Sequence, residues 1–303
     1  MPRAAHAPIG PARILAAFVV ALPAGMLLAA LAAPWVQQAL APLAVFPLHR
    51  VFSRLTMLAV ILIMAWLVWR NGLGDRRTLG YSGPWPDFLR RVAMGFAAGI
   101  GLMLLAVVPL MLLDVREWNA RVPVAWSGWL LLALKGLGSG IAVALIEETF
   151  FRGAMQGALQ RAGALRLAVF AVPVYYAAVH FLGRATSVPF DEVDALSGFT
   201  AMAGFFAGFA DPLRILDAFV ALWFVGLLLA LVRLRWGSLA GCIGLHAGFV
   251  AVIAVFRRVT SPAATGDYAW LAGPFDGLLG IWIALLTALA CLGVWRMRRA
   301  PTA

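Results

Sequence analysis

Charge is scarce in this sequence. Charged residues occupy 12% of the 303 positions, against about 25% in a soluble domain. A chain so poor in charge does not form a sizeable water-facing domain. Cysteine is scarce as well: there are two, Cys242 and Cys291. Both fall inside apolar runs, so they read as small packing residues, and no disulfide framework is implied. Internal repeats and low-complexity tracts are missing, and so are the paired interrupted helices that mark many transporters. The net charge of +11 invites a nucleic-acid reading. The arginines, however, are spread over many loop ends and are not gathered with aromatics on one face, so nucleic acid is excluded as a partner.

Apolar sequence is what the chain has in abundance. Hydrophobic residues make up 63%, where about 45–50% is usual. A spanning helix needs roughly 20 mostly apolar residues. Candidate spans fall near 14–33, 53–69, 92–113, 127–150, 165–182, 215–232, 237–256 and 277–295. The expected fold is all-α: a polytopic bundle of about eight transmembrane helices forming a single integral-membrane domain, 1–303, in a lipid bilayer. The first run, behind Arg3 and Arg13 and ending LAALAAP, resembles a signal peptide. Its apolar stretch exceeds the ~7–15 residues of a signal core, so it reads as an uncleaved span.

Basic residues set the orientation. With both termini cytoplasmic, fifteen arginines, Arg3, Arg298 and Arg299 among them, fall on inner segments and eight, Arg184 among them, on outer ones. Most loop acids lie outside. The basic tail RMRRAPTA anchors the last span. The outer segment 183–214 contains ALSGFTAMAGFFAGF, too short to span; it reads as a re-entrant or interfacial element, or as a helix lying on the surface.

Ionisable groups at membrane depth are functional candidates by default. Here they are Lys135, Glu147, Glu148, Arg152, His180, Asp217 and His246. Lys135 pairs locally or snorkels, and Asp217 lies near an outer helix end. His6 and His49, in the tail and a loop, are assigned no role. In the stretch IEETFFRGAMQG, Glu148 and Arg152 are four apart and share a helix face, as an ion pair requires. Glu147 points about 100° away and has no such partner. The fourth and fifth spans read as a hairpin turning at residues 161–164, with Gly163 as breaker. At ~1.5 Å per residue, Glu147 and His180 then lie at nearly the same distance from the turn, roughly 24–26 Å. His246 reaches a similar depth from Trp236. One Glu and two His thus converge. A carboxylate shielded from water serves as a general base, and a His beside it orients water, passes a proton or donates to an oxyanion. Glu with two His is equally a catalytic zinc set with water in the fourth place. Either use points to water attack on an acyl group, foremost a peptide bond.

These residues resemble the CAAX-protease and bacteriocin-processing (CPBP) family of intramembrane proteases. EETFFR matches its EExxxR signature with Glu147, Glu148 and Arg152; YAAVH matches FxxxH with Tyr176 and His180; HAGFV matches HxxxN with His246. The likeness covers about 127–256, the catalytic core. It implies that Glu147 and His180 hold the water, that His246 supports the oxyanion, and that Glu148 and Arg152 support the site. The family is described both as metalloproteases and as metal-independent glutamate proteases. A zinc ion, where bound, would take Glu147, His180 and His246. Two departures stand out. Val250 replaces the usual Asn and cannot donate a hydrogen bond, and loss of such a donor costs ~10²–10³ in rate. Tyr176 replaces Phe, a milder change.

The reading is therefore an endopeptidase, a hydrolase that cuts a protein or peptide at the membrane. Two alternatives are a proton-coupled transporter and a non-catalytic membrane partner of the immunity or scaffold kind. An Ala-, Arg- and Gly-rich composition suggests a bacterial multi-pass protein of the cell (inner/plasma) membrane, where prenylated substrates are not expected. A secreted peptide or a C-terminal sorting tail fits better.

Overall fold

The computed structural model describes residues 10–183, 185–264 and 266–297. Arg3, His6, Arg184, Arg298 and Arg299, with the rest of the basic tail, lie outside the described residues. The chain is 76% helical with almost no strand. In chain order the helices are α1 (Pro11–Leu40), α2 (Leu48–Arg70), α3 (Arg76–Leu79), α4 (Trp85–Leu112), α5 (Trp126–Glu148), α6 (Gln156–Arg161), α7 (Val172–Val179), α8 (Ser197–Phe205), α9 (Pro212–Trp236), α10 (Ala240–Val259) and α11 (Ile281–Arg296). A π-helical turn, Thr149–Met155, joins α5 to α6, and another, Leu167–Ala171, leads into α7. Strands β1 (Arg116–Trp118) and β2 (Thr260–Pro262) pair antiparallel.

Among the described residues, six helices are long and apolar enough to cross a membrane: α1, α2, α4, the continuous run Trp126–Arg161, α9 and α10. The expected fifth and eighth spans are shorter, as Leu167–Val179 and Ile281–Arg296. The first stops because the chain leaves the helix at His180. The second starts late because Gly273 and Gly277, at φ 71° and 64°, hold a non-helical conformation that side chains resist. The expected hairpin turn is present. The long helix ends at Arg161, and Gly163 takes φ 73° while the Ala164 N–H donates to the Leu159 carbonyl, a helix stop that favours glycine.

The chain divides into two compact units that interleave in sequence. Unit one comprises the residues up to Gly74, Ala158–Ala164 and Ala178–Pro212. In it α1 and α2, joined by a short loop, pack together, and α8 packs on both. Small residues on α1 allow the close approach: Ala29, Ala30 and Ala33 are buried, beside Met26, with Phe52 of α2 and Ala201 of α8. A Cβ at Gly198 would stand 1.9 Å from the Ala30 carbonyl oxygen. Within the apolar stretch of the 183–214 segment, α8 is thus packed against α1 and α2.

Unit two comprises Asp75–Gly157, Leu165–Ala177 and the residues from Leu213 onward. Its centre is α10, packed against α4 on one side and α5 on the other. Each carries glycines four apart: Gly95 and Gly99 on α4, Gly136 and Gly140 on α5, Gly244 and Gly248 on α10. In lipid, where no hydrophobic effect drives helices together, such small-residue seams let backbones touch and gain dispersion contact. A Cβ at Gly244 would lie 2.0 Å from the Val92 carbonyl, and one at Gly140 would lie 2.5 Å from the Ala247 carbonyl. At one end of the unit, α3 is N-capped by the Asp75 side chain, which accepts from the Thr78 N–H at 2.8 Å. The Gly80 carbonyl that follows accepts from the Leu239 N–H at 2.8 Å, tying α3 to the start of α10. Elsewhere the buried Arg116 of β1 donates to the Thr260 carbonyl and hydroxyl at 3.0 Å each and to the Gly277 carbonyl at 2.7 Å. Its burial lowers the guanidinium pKa, partly offset by Asp276.

Candidate active site

Glu147 and Glu148 are the last residues of α5, directly before the π-helical turn. Thr149 opens that turn. Its hydroxyl donates to the Leu145 carbonyl at 2.5 Å, the back-bond that hydroxyl residues make in helices. Having spent its proton there, it accepts from the Tyr81 hydroxyl. π-Helical turns inside α-helices concentrate at functional sites, and here one begins beside two acids.

The Glu148 side chain is 0% exposed. Its Oε1 accepts from Arg152 Nη1 at 3.0 Å and stands 2.8 Å from His246 Nδ1. Arg152 is equally buried, and its Nη2 donates to the Gly226 carbonyl of α9 at 3.1 Å. The guanidinium lies over the Tyr176 ring, 4.5 Å from its centroid, a favourable cation–π placement. Glycine at 226 permits this, since a Cβ there would come within 3.0 Å of Pro173 and Tyr176. A buried ion pair is stable only with such added partners. Glu148 Oε2 and Arg152 Nε nevertheless have no hydrogen-bond partner.

Glu147 points elsewhere. Its side chain is 30% exposed, and its Oε2 lies 3.9 Å from His246 Nε2. That oxygen has no hydrogen-bond partner. His246, 3% exposed, thus presents one ring nitrogen to each glutamate. The Tyr176 ring meets the imidazole edge-on at 6.1 Å. Val250 stands one turn further along α10 and brings no donor.

The structure therefore brings together Glu147, Glu148, Arg152, Tyr176 and His246, all in unit two. His180 belongs to unit one, in the turn that closes the α7 helix. The described site is that of unit two. Glu148 also does more than pair with Arg152, because it holds His246 as well. Two members went unnoticed in the sequence. Gln156, buried, donates to the Ala230 carbonyl of α9 at 3.1 Å. A polar residue four past Arg152 in an apolar run was the signal. Gly226 had none beyond being small.

Catalytic zinc takes three protein ligands. Among the described residues, no group of three or more His, Cys, Asp or Glu is arranged to hold a metal ion. Glu147 Oε2 and His246 Nε2 supply two donors.

Residues 127–252 match the family described as Type II CAAX prenyl endopeptidase Rce1-like. The match runs from α5 into α10 and takes in all three motifs, bearing out the resemblance over that segment. That segment is similar to a family of CAAX-type endopeptidases, hydrolases of proteins or peptides, and the apolar helices make the chain a multi-pass membrane protein. No curated protein and no solved structure matches the chain.

Proposed function

We propose that this protein is an intramembrane endopeptidase that hydrolyses a peptide bond at the membrane with water activated by Glu147. The observation that supports it most is the 3.9 Å between Glu147 Oε2 and His246 Nε2. The gap is too long for a direct hydrogen bond and suits one bridging water. As the water oxygen bonds to the acyl carbon, its proton passes to the carboxylate, and the carbonyl electron pair moves onto oxygen. Collapse breaks the C–N bond while the leaving nitrogen takes a proton. His180 stays in the proposal as the second water-holding group that the resemblance implies.

The proposed setting is a bacterial cell membrane, and the proposed substrate a secreted peptide or C-terminal sorting tail. Glu147→Gln tests the reading. Processing of such a substrate should fall by ~10²–10⁴ while thermal unfolding in detergent stays unchanged. Undiminished processing would sink the peptidase reading in favour of a non-catalytic partner. The zinc set Glu147, His180 and His246 carries its own test: metal content after purification, with zinc offered, beside a His180→Ala, His246→Ala double variant. About one zinc per chain, lost in the variant, makes the set a metal centre; none in either sample removes it.

A further inference from the structure

We propose that the groove between α4, α9, α10 and α11 holds one anionic phospholipid of the inner leaflet, with an acyl chain lying along the groove and the phosphate at Arg91. The groove lies wholly within unit two. α5, which carries the two acids, contributes nothing to its lining.

The groove exists because α11 is fastened near its two ends. At its start, Trp282 Nε1 donates to the Ala106 carbonyl of α4 at 3.1 Å. At its end, Arg235 of α9 donates to the Trp295 carbonyl and lies 5.3 Å from the centroid of the Trp295 ring. Between these ties α11 offers the groove only the short side chains of Ala290 and Val294, and α4 offers Gly101. A space of about 520 Å³ stays open, within the ~300–1,000 Å³ of pockets that hold small molecules. Along α4 it runs from Arg91 to Leu105, roughly 21 Å at ~1.5 Å per residue. One leaflet of the hydrocarbon core is about 15 Å deep, so a lipid chain finds its full length there. That volume spread over that length admits one extended chain and excludes a helix ~10 Å across.

The lining is apolar except at one end. There Arg91 and Trp236 stand with Gly241, in the first turn of α10. The arginine bias assigns this end to the cytoplasm. Arg90 is paired with Asp87 at 3.5 Å, whereas Arg91 has no ion pair or hydrogen bond among the described residues. No acid lines the groove. A permanent cation at the mouth, beside the positive end of the α10 dipole, favours an anionic lipid over a zwitterionic one. Trp236 adds an indole of the kind that settles at headgroup level.

Native mass spectrometry of the full-length protein in detergent tests this, with phosphatidylglycerol and phosphatidylcholine of the same chain lengths as probes. The protein should retain phosphatidylglycerol in preference. Arg91→Gln should weaken that retention about five-fold, the worth of one arginine near an anionic surface, and leave phosphatidylcholine unaffected. A Cβ at Gly101 meets nothing within 4 Å, so Gly101→Leu sends its side chain into open groove. It should lower retention of both lipids without lowering the temperature of unfolding. Equal retention of the two lipids, or of phosphatidylglycerol by the protein and by Arg91→Gln, overturns the proposal. So does a Gly101→Leu variant that keeps its lipid but changes oligomeric state or stops processing, which would give the groove to a second copy or to the substrate. The readout needs no peptidase activity and stands apart from the function proposed above.

Discussion

Arg152 carries a permanent charge into a place with 0% exposure. What makes that tolerable is the company: Glu148, the Gly226 carbonyl and the Tyr176 face. Arg152→Ala strands the Glu148 carboxylate, and thermal unfolding should report a loss of about 3–5 kcal/mol. Glu148→Leu with Arg152→Met should lose less by the same measurement: it strands no charge, and its cost is the partner that the buried His246 gives up. If both fall equally, the pair is not what the buried charge costs. The Glu148–Arg152 pairing was legible in the sequence because spacing four on a helix allows little else. Which glutamate His246 would meet was not. Depth along α10 follows from counting residues, whereas rotation about its axis depends on how closely two backbones approach.

At the scale of the elements, the approach of α5 to α10 sets the distance from Glu148 to His246. Gly140→Leu would drive a side chain into the Ala247 carbonyl, already 2.5 Å from a Cβ at that site. It should lower stability by about 1–3 kcal/mol and abolish processing, since it separates the two helices that carry the site. Gly138→Ala is the internal control: it meets nothing within 4 Å and should leave both unchanged or gain up to about 1 kcal/mol from helix propensity. Equal damage from the two would mean that the seam does not set the site. The spans themselves were legible because apolar runs of that length have few other fates. The glycines four apart on α4, α5 and α10 were equally visible and mark the contacting faces, so they could have predicted which way His246 turns. The π-helical turn left no such trace in the residue pattern.

For the whole molecule, arginine bias predicts both termini on the cytoplasmic side. Cys242 and Cys291 are buried, so the native chain should resist a membrane-impermeant thiol reagent in intact cells. Leu43→Cys, in the exposed α1–α2 loop, should react from outside. Arg77→Cys, on the exposed side of α3, should react only after the membrane is opened. The opposite pattern would invert the topology and put the catalytic face toward the other compartment. Composition made the membrane class plain. It did not reveal the division into two interleaved units, which arises from contacts between segments far apart in sequence.

The seven-residue stretch Thr149–Met155 has a consequence for insertion and deletion. A π-helical turn holds one residue more than an α-helical turn of like rise. The helix therefore carries, between its acids and Gln156, a residue that an unbroken α-helix would not need. Taking one residue out should restore α-helical winding while the helix beyond keeps its direction and register. Gln156 would stay on the Ala230 carbonyl, whereas Arg152, inside the turn, would lose the placement that joins Glu148 to the Gly226 carbonyl. Part of this site is thus encoded as a length, and a one-codon deletion that removes no polar side chain would dismantle it.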